Sequence, residues 1–421
     1  MSTTADAPTR TDEATGTAAA VRDWLRANAR PVSDTDADYL GADLDPLIDR
    51  LAAATVVGLG ESTRFSQQTA GVRTRVFRTL VERHGFRALA IQDSARSGER
   101  WDDYVRTGAG DPQSVLAGAW RPWRSAETVA SLEWIRGFNQ RHPDDRVRIF
   151  GVRPPQAEPS DYDVVLDYIR HAAPRRLTAL ESHLTPIRTA HQVDEHVQRH
   201  QGTHPGRPFV DEARDALALL DGLPESPERS AALSHARLIL SFHENSVAGQ
   251  GGFARDERPS ADRVIEWQRT TGARIVYWDG IAHVSGLALG VGQSEADAFL
   301  GTGSHLRDHF GPDYVSVAIG FHHGDLGTTV APDPGPDLID ATLGSVDLPA
   351  FSVDLHTQAP DSVVRWRLAS AKLRAISGIY DPAKDAYAHV IVGSLIGAYD
   401  MLIHIRQTTP LRWLPEFATA G

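Results

Sequence analysis

Residues 55–100, TVVGLGESTRFSQQTAGVRTRVFRTLVERHGFRALAIQDSARSGER, constrain the fold most. Thr55–Leu59 is a short apolar run, and a glycine turn then delivers Glu61. Residues 67–84 carry Val72, Val76, Phe77 and Leu80 at helical spacing, and Gly85 supplies the left-handed stop that ends a helix. A second apolar run, Ala88–Gln92, ends on Gln92 and Asp93. This is a strand–helix–strand unit with polar residues at both strand ends. Ligands of open α/β sheets bind at the carboxyl ends of the strands, so Glu61, Ser62, Thr63, Arg64, Arg73, Gln92 and Asp93 are expected to converge.

Further apolar, β-branched runs at 146–152, 274–279, 314–321, 350–355 and 398–405 alternate with helical patterns. They predict an α/β fold: a mostly parallel central sheet flanked by helices. Residues 161–250 show amphipathic helical stretches and no strand, and are expected to form a helical insertion covering the strand ends, as a pocket wall or lid. The expected organisation is a disordered leader over 1–18, a first part of the core over 19–160, the insertion over 161–250 and a second part of the core over 251–421. His183, His191, His196, His200 and His204 partly follow helical spacing; a solvated helix face is preferred to a metal site. Trp120, Trp123, Trp134 and Phe138 read as packing residues rather than ligand platforms. Gly286, Gly290, Gly292, Gly301 and Gly303 fit neither a P-loop nor a dinucleotide turn, and predict a mobile loop followed by a helix.

A formal charge of -12 argues against a nucleic-acid or membrane-surface partner, either of which needs a basic field. Cysteine is absent, which removes disulfides, thiolate metal sites and a cysteine nucleophile. No run approaches the ~20 apolar residues of a membrane span, and a cytoplasmic location is expected. Lys372 and Lys384 are the only lysines beside abundant arginine, alanine and aspartate, a bias expected of a GC-rich, actinobacterial genome.

Several motifs carry a family resemblance when taken in order: GLGES with Glu61, Arg73 twelve residues on, GFRALAIQ, the pair Arg255-Asp256, RIVYWDGIAHV and AYDMLIHIRQTTPL. Together, from about Thr55 to Leu414, they resemble the erythromycin esterase family. The resemblance implies an enzyme hydrolysing macrolactones, with a turn histidine acting as general base on water. Glu61 matches the family's turn glutamate, Arg73 its helix arginine and His283 the second histidine of its AHNXH segment. Arg64 stands where that pattern has the turn histidine, Gln92 where it has a strand-end glutamate, and Gly280 where it has the first AHNXH histidine.

Those three departures remove acid–base groups, because arginine already holds its proton at neutral pH and glutamine and glycine have none to exchange. Loss of a general base forfeits about 10²- to 10⁴-fold in rate. Glu61, His283, Arg64 and Arg73 are the expected catalytic set, the arginines offering a cationic floor for a carboxylate, enolate or phenolate. Gln92, Asp93, Glu99, Asp279, Trp278, Arg153, His322 and His323 are the expected substrate-binding residues, although His322 and His323 are neighbours on a strand and should diverge. Glu61 with Arg73 is alternatively a buried structural ion pair, and His283 a satisfied core histidine. No nucleotide or flavin fingerprint is present and the surviving groups are too few for a metal, so no cofactor is expected. Three functions follow: a non-hydrolytic tailoring enzyme acting on a small polyketide-like natural product, a hydrolase with a relocated base, or a catalytically silent binding or self-resistance protein. The oligomeric state is not legible.

Overall fold

In the computed structural model, the described residues are 10–191, 207–245, 255–291, 294–327, 329–376 and 380–415. Strands β1 (Arg30–Pro31), β2 (Val56–Glu61), β3 (Phe86–Ser94), β4 (Arg148–Arg153) and β5 (Arg274–Gly280) begin the main sheet. Strands β6 (Leu289–Val291) and β7 (Ser294–Phe299) leave it for a second sheet. Strands β8 (Tyr314–Asp325), β9 (Val330–Ala331) and β10 (Ala350–Asp354) return to the first, β11 (Ala371–Arg374) and β12 (His389–Val392) join the second, and β13 (Met401–Thr408) closes the first.

The main sheet runs in the order β1-β10-β13-β8-β2-β5-β3-β4, with β9 paired to the end of β8. The six strands from β13 to β4 are mutually parallel, and β1, β9 and β10 pair antiparallel at the margins. Parallel strands require cover on both faces, and two apolar cores supply it. One is built around Val57, Leu59, Val76, Leu80 and Trp278, the other around Val56, Ala90, Tyr277, Val284 and Tyr314. Their alternation along β2 is the period-2 pleat.

The opening strand–helix–strand unit is present, with its helix at Gln67–His84 and Gly85 in the left-handed conformation at φ 70°. Its two strands are not neighbours: β5, from far along the chain, lies between β2 and β3. That intercalation places the RIVYWDG segment at the centre of the site.

The glycine-rich stretch expected to be a mobile loop instead contributes β6 and β7, which pair with each other, while β6 also pairs with β12 and β12 with β11, all antiparallel. Its helix, Thr302–Phe310, agrees with expectation. The helix at Arg10–Asn28 begins well before Ala19, inside the stretch expected to be disordered, and residues 1–9 lie outside those described.

The expected insertion contains helices Pro159–Ala172, Leu177–Arg188, Phe209–Asp221 and Pro227–Asn245, which share a core of their own around Tyr162, Ile169, Leu184 and Ile239. Arg96 and Arg100, on helix Ala95–Thr107, tie its first turn to the sheet body through Asp161 at 2.7 Å and Glu158 at 2.8 Å. His191 and His243 are not solvated: both hydrogen-bond the buried Tyr162 hydroxyl, at 3.0 and 2.8 Å, and burial lowers His191 to about 4 and His243 to about 3. His183 pairs with Glu212, while His196, His200 and His204 lie outside the described residues. Among the described residues no helix is long and apolar enough to cross a membrane.

Candidate active site

Strand β2 carries the sequence VVGLGE, and its two glycines shape what stands above it. A Cβ at Gly60 would collide with Val284, and one at Gly58 with the Tyr314 hydroxyl. The missing side chains let the short helix Ile281–Val284 settle against β2 directly after β5. His283 rides on that helix, beside the end of β2 where Glu61 sits in register with Gly280.

From these strand ends runs a chain of alternating charges. Arg73 pairs with Glu61 Oε2. Glu61 Oε1 accepts from Arg64 Nη1 at 3.1 Å, and Arg64 Nη2 reaches Asp279 Oδ1 at 3.2 Å. Asp279 lies 3.7 Å from His283 Nε2, and His283 Nδ1 lies 2.8 Å from Glu257 Oε1. Aromatic faces back the cations: Trp278 and Trp123 lie 4.4 and 5.1 Å from the Arg73 guanidinium, and Trp120 lies 4.3 Å from that of Arg64. Trp120 and Trp123 are thus walls of the site as well as packing residues.

Arg64 is not an open anion clamp. Its two terminal nitrogens are held by carboxylates, and its guanidinium fills the space over Gly280, where an added Cβ would lie 2.8 Å from Nη2 and 3.3 Å from the His283 ring. The replacements at 64 and 280 are therefore one steric unit. Both oxygens of Glu61 are likewise engaged, which makes Glu61 a structural member of the chain and not a free base. Burial pushes the Arg73 pKa down, partly offset by Glu61, as expected of a cation held in a dry site. Behind the pair lies a cavity of about 10 Å³ lined by Ser66, Thr74, Ser125, Thr128 and Ser131, room for one water.

His283 is the group suited to moving a proton. Burial opposes its charge, but the carboxylates of Asp279 and Glu257 outweigh burial and raise its pKa above 6.5. Glu257 meets the same burial penalty, yet the adjoining imidazole, together with Arg153 and the Thr302 N–H, brings it down to about 2. Its second oxygen accepts from Thr302 N and Oγ1, both at 3.1 Å, so its orientation is fixed from two sides. Glu257 as acceptor assigns the proton to Nδ1 and leaves Nε2 for chemistry. Gln92 Nε2 lies 3.3 Å from that nitrogen, and Gln92 Oε1 is buried without a hydrogen bond among the described residues. An amide serves either protonation state: its N–H donates to neutral imidazole, and its oxygen, after a flip, accepts from imidazolium.

The structure gathers Glu61, Arg64, Arg73, Gln92, Trp278, Asp279 and His283 as expected. Arg153 lies at the margin, its guanidinium 5.9 Å from the Trp120 ring and its charge acting on Asp93 and Glu257. Asp93 belongs to the framework: its oxygens accept from Ser94 N at 2.6 Å and Trp120 N at 2.9 Å, which fixes the loop that holds Trp120 over Arg64. Burial raises its pKa. Glu99 is exposed on its helix. His322 and His323 face Asp333, and neither lines the Glu61 cavity. Sequence reasoning missed Glu257. The one available signal was an acidic residue directly before a helix and directly after the Arg255-Asp256 pair, with nothing to show that it would meet His283.

Solved structures share this architecture. A protein from Bacillus cereus is 20% identical with a TM-score of 0.64, over 94% of this chain and 99% of its own. A succinoglycan biosynthesis protein is 20% identical with a TM-score of 0.64, over 96% and 100%. A mutant of the erythromycin esterase EreC in its open conformation is 15% identical with a TM-score of 0.56, over 91% and 98%. At these identities the likeness establishes the fold. A sequence model of the family described as erythromycin esterase matches residues 81–408, a stretch that holds Gln92, Glu257, Asp279 and His283 and begins after Glu61, Arg64 and Arg73. With more than half its length matched, the chain belongs to the erythromycin esterase family.

Proposed function

We propose that the protein is a non-hydrolytic tailoring enzyme for a polyketide-like small molecule, with His283 as its proton-transfer group. The observation that carries this reading is the Glu257–His283 contact at 2.8 Å, which orients an imidazole of raised pKa with Nε2 toward the strand ends. At the turn, Arg64 occupies the position of the water-activating histidine that the family resemblance implies, and it is locked between Glu61 and Asp279.

In the reaction, Nε2 takes a proton from an acidic C–H or O–H of the substrate, and the C–H or O–H electron pair stays on the substrate. The imidazolium, stabilised by Glu257 and Asp279, then returns that proton to another substrate atom. Isomerisation, ring closure and elimination of water all balance under this scheme without an oxidant or reductant.

The test follows enolisable polyketide lactones and their ring-opened acids by NMR and mass spectrometry, in D₂O and in oxygen-18 water. Expected is deuterium exchange, isomerisation or ring closure without oxygen-18 entering the product, reduced about 10²-fold or more in His283→Ala. Oxygen-18 in a ring-opened product, abolished by the same substitution, would establish hydrolysis by a relocated base instead. Tight binding with neither exchange nor turnover would establish a silent binding protein.

A further inference from the structure

At the end of β8, on the far part of the strand from its register with Glu61, two adjacent histidines do what strand neighbours ordinarily do not. His322 and His323 bring their Nδ1 atoms to 2.9 Å from each other. Asp333 Oδ1 completes a triangle, 3.4 Å from the first nitrogen and 3.1 Å from the second. A cation placed about 1 Å above that plane would lie roughly 2.1 Å from all three atoms, the bond length of zinc to imidazole and carboxylate.

The framework is built to keep the rings there. The His322 ring is packed on Gly344, where any Cβ would collide with it, and Arg374 donates to the His322 carbonyl. Behind His322, with 6.2 Å between ring centres and edge-on, stands His404, buried at 1% exposure with neither ring nitrogen hydrogen-bonded among the described residues. A buried imidazole without a partner marks a corner where a polar ligand or ordered water belongs. Two cations, Arg374 and Arg406, lie close enough to act on the charge of the His322 ring. The two arginines are themselves countered by Asp385 at 2.8 Å and Asp347 at 3.6 Å.

We infer that His322, His323 and Asp333 form a site for a divalent first-row transition metal, with zinc the natural occupant, separate from the Glu61–His283 chain. Two imidazoles and one carboxylate favour zinc, cobalt, nickel or ferrous iron over magnesium or calcium, whose sites are built of oxygen. Three protein donors, the largely exposed Asp333 among them, leave the remaining positions to water or a small ligand.

Equilibrium dialysis of the full chain against zinc, and visible absorption of the cobalt-loaded protein, test this. One equivalent of metal is expected, with ligand-field bands from a nitrogen–oxygen site. Affinity should fall by about ten-fold or more in His323→Ala and in Asp333→Ala, and stay unchanged in His283→Ala. Asp333 is exposed, so its replacement leaves folding intact, which circular dichroism checks. Absence of stoichiometric binding would overturn the inference. So would undiminished binding by the double variant His322→Ala/His323→Ala, which would place the ion elsewhere.

Discussion

Replacing Glu257 by glutamine isolates what the carboxylate does for His283. The amide still accepts a hydrogen bond from Nδ1, so the change removes charge while keeping shape. Two opposite charges about 4 Å apart at an effective dielectric constant of 20 attract by about 4 kcal/mol, a ceiling of roughly 3 pKa units. Asp279 stays at 3.7 Å and continues to support the imidazolium, which brings the expected fall in the His283 pKa to about 1–2 units. Histidine proton resonances followed across pH measure it without a substrate, and the spectrum of His283→Ala assigns the signal. Given a substrate, the rising base limb of kcat/KM should move to lower pH by the same amount, with a reduced plateau because the base is weaker. An unchanged His283 titration in Glu257→Gln would refute the argument, since a contact serving only to hold the loop would leave the pKa in place.

The other expected outcomes concern the ion chain. Arg73→Met removes one partner of a buried pair and should cost about 3–5 kcal/mol in urea unfolding; a loss below about 1 kcal/mol would mean that Glu61 finds full compensation from Arg64. Gly280→His should be strongly destabilising alone and much less so with Arg64→His, a coupling of about 1–3 kcal/mol across the four proteins, and additivity within about 0.5 kcal/mol would deny that positions 64 and 280 share one space. The Glu257–His283 contact should make stability depend on pH from both sides. His283, raised above 6.5, contributes fully below 6.5 and loses its contribution as pH rises through its folded value; Glu257, lowered from 4.5 to about 2, contributes fully above 4.5 and loses it on descending toward 2. Because this is one interaction seen from two groups, the advantage of the unmodified protein over Glu257→Gln should peak between about pH 4.5 and 6.5. An advantage independent of pH from 3 to 9 would contradict it.

Local pattern carried far in this chain. The helix at Gln67–His84 and its Gly85 stop were legible because amphipathic spacing and a left-handed C-terminal glycine are local properties. The parallel strands were legible because apolar β-branched runs need cover on both faces. What failed were long-range pairings. Nothing within residues 55–100 announces that β5 will separate β2 from β3, and nothing in the glycine-rich 286–303 stretch announces a partner at 389–392. Glu257 escaped for the same reason: its role is fixed by a histidine on another strand's exit. Arg64 and Gly280 were each recognised as departures, but the van der Waals contact that makes them one event exists only in three dimensions.

The bare backbone of Gly58 and Gly60 has a consequence for how such a scaffold changes chemistry. The backbone at 283 takes its position from the seat its helix finds on β2, and Glu257 then orients the imidazole. Residues 64 and 92 surround that seat without forming it, and Gly280 caps the helix that occupies it. A chain of this design can exchange its polar surroundings and keep the proton carrier registered to the sheet. Any side chain introduced at Gly60 should do the reverse, displacing the carrier while leaving every polar neighbour in the sequence untouched.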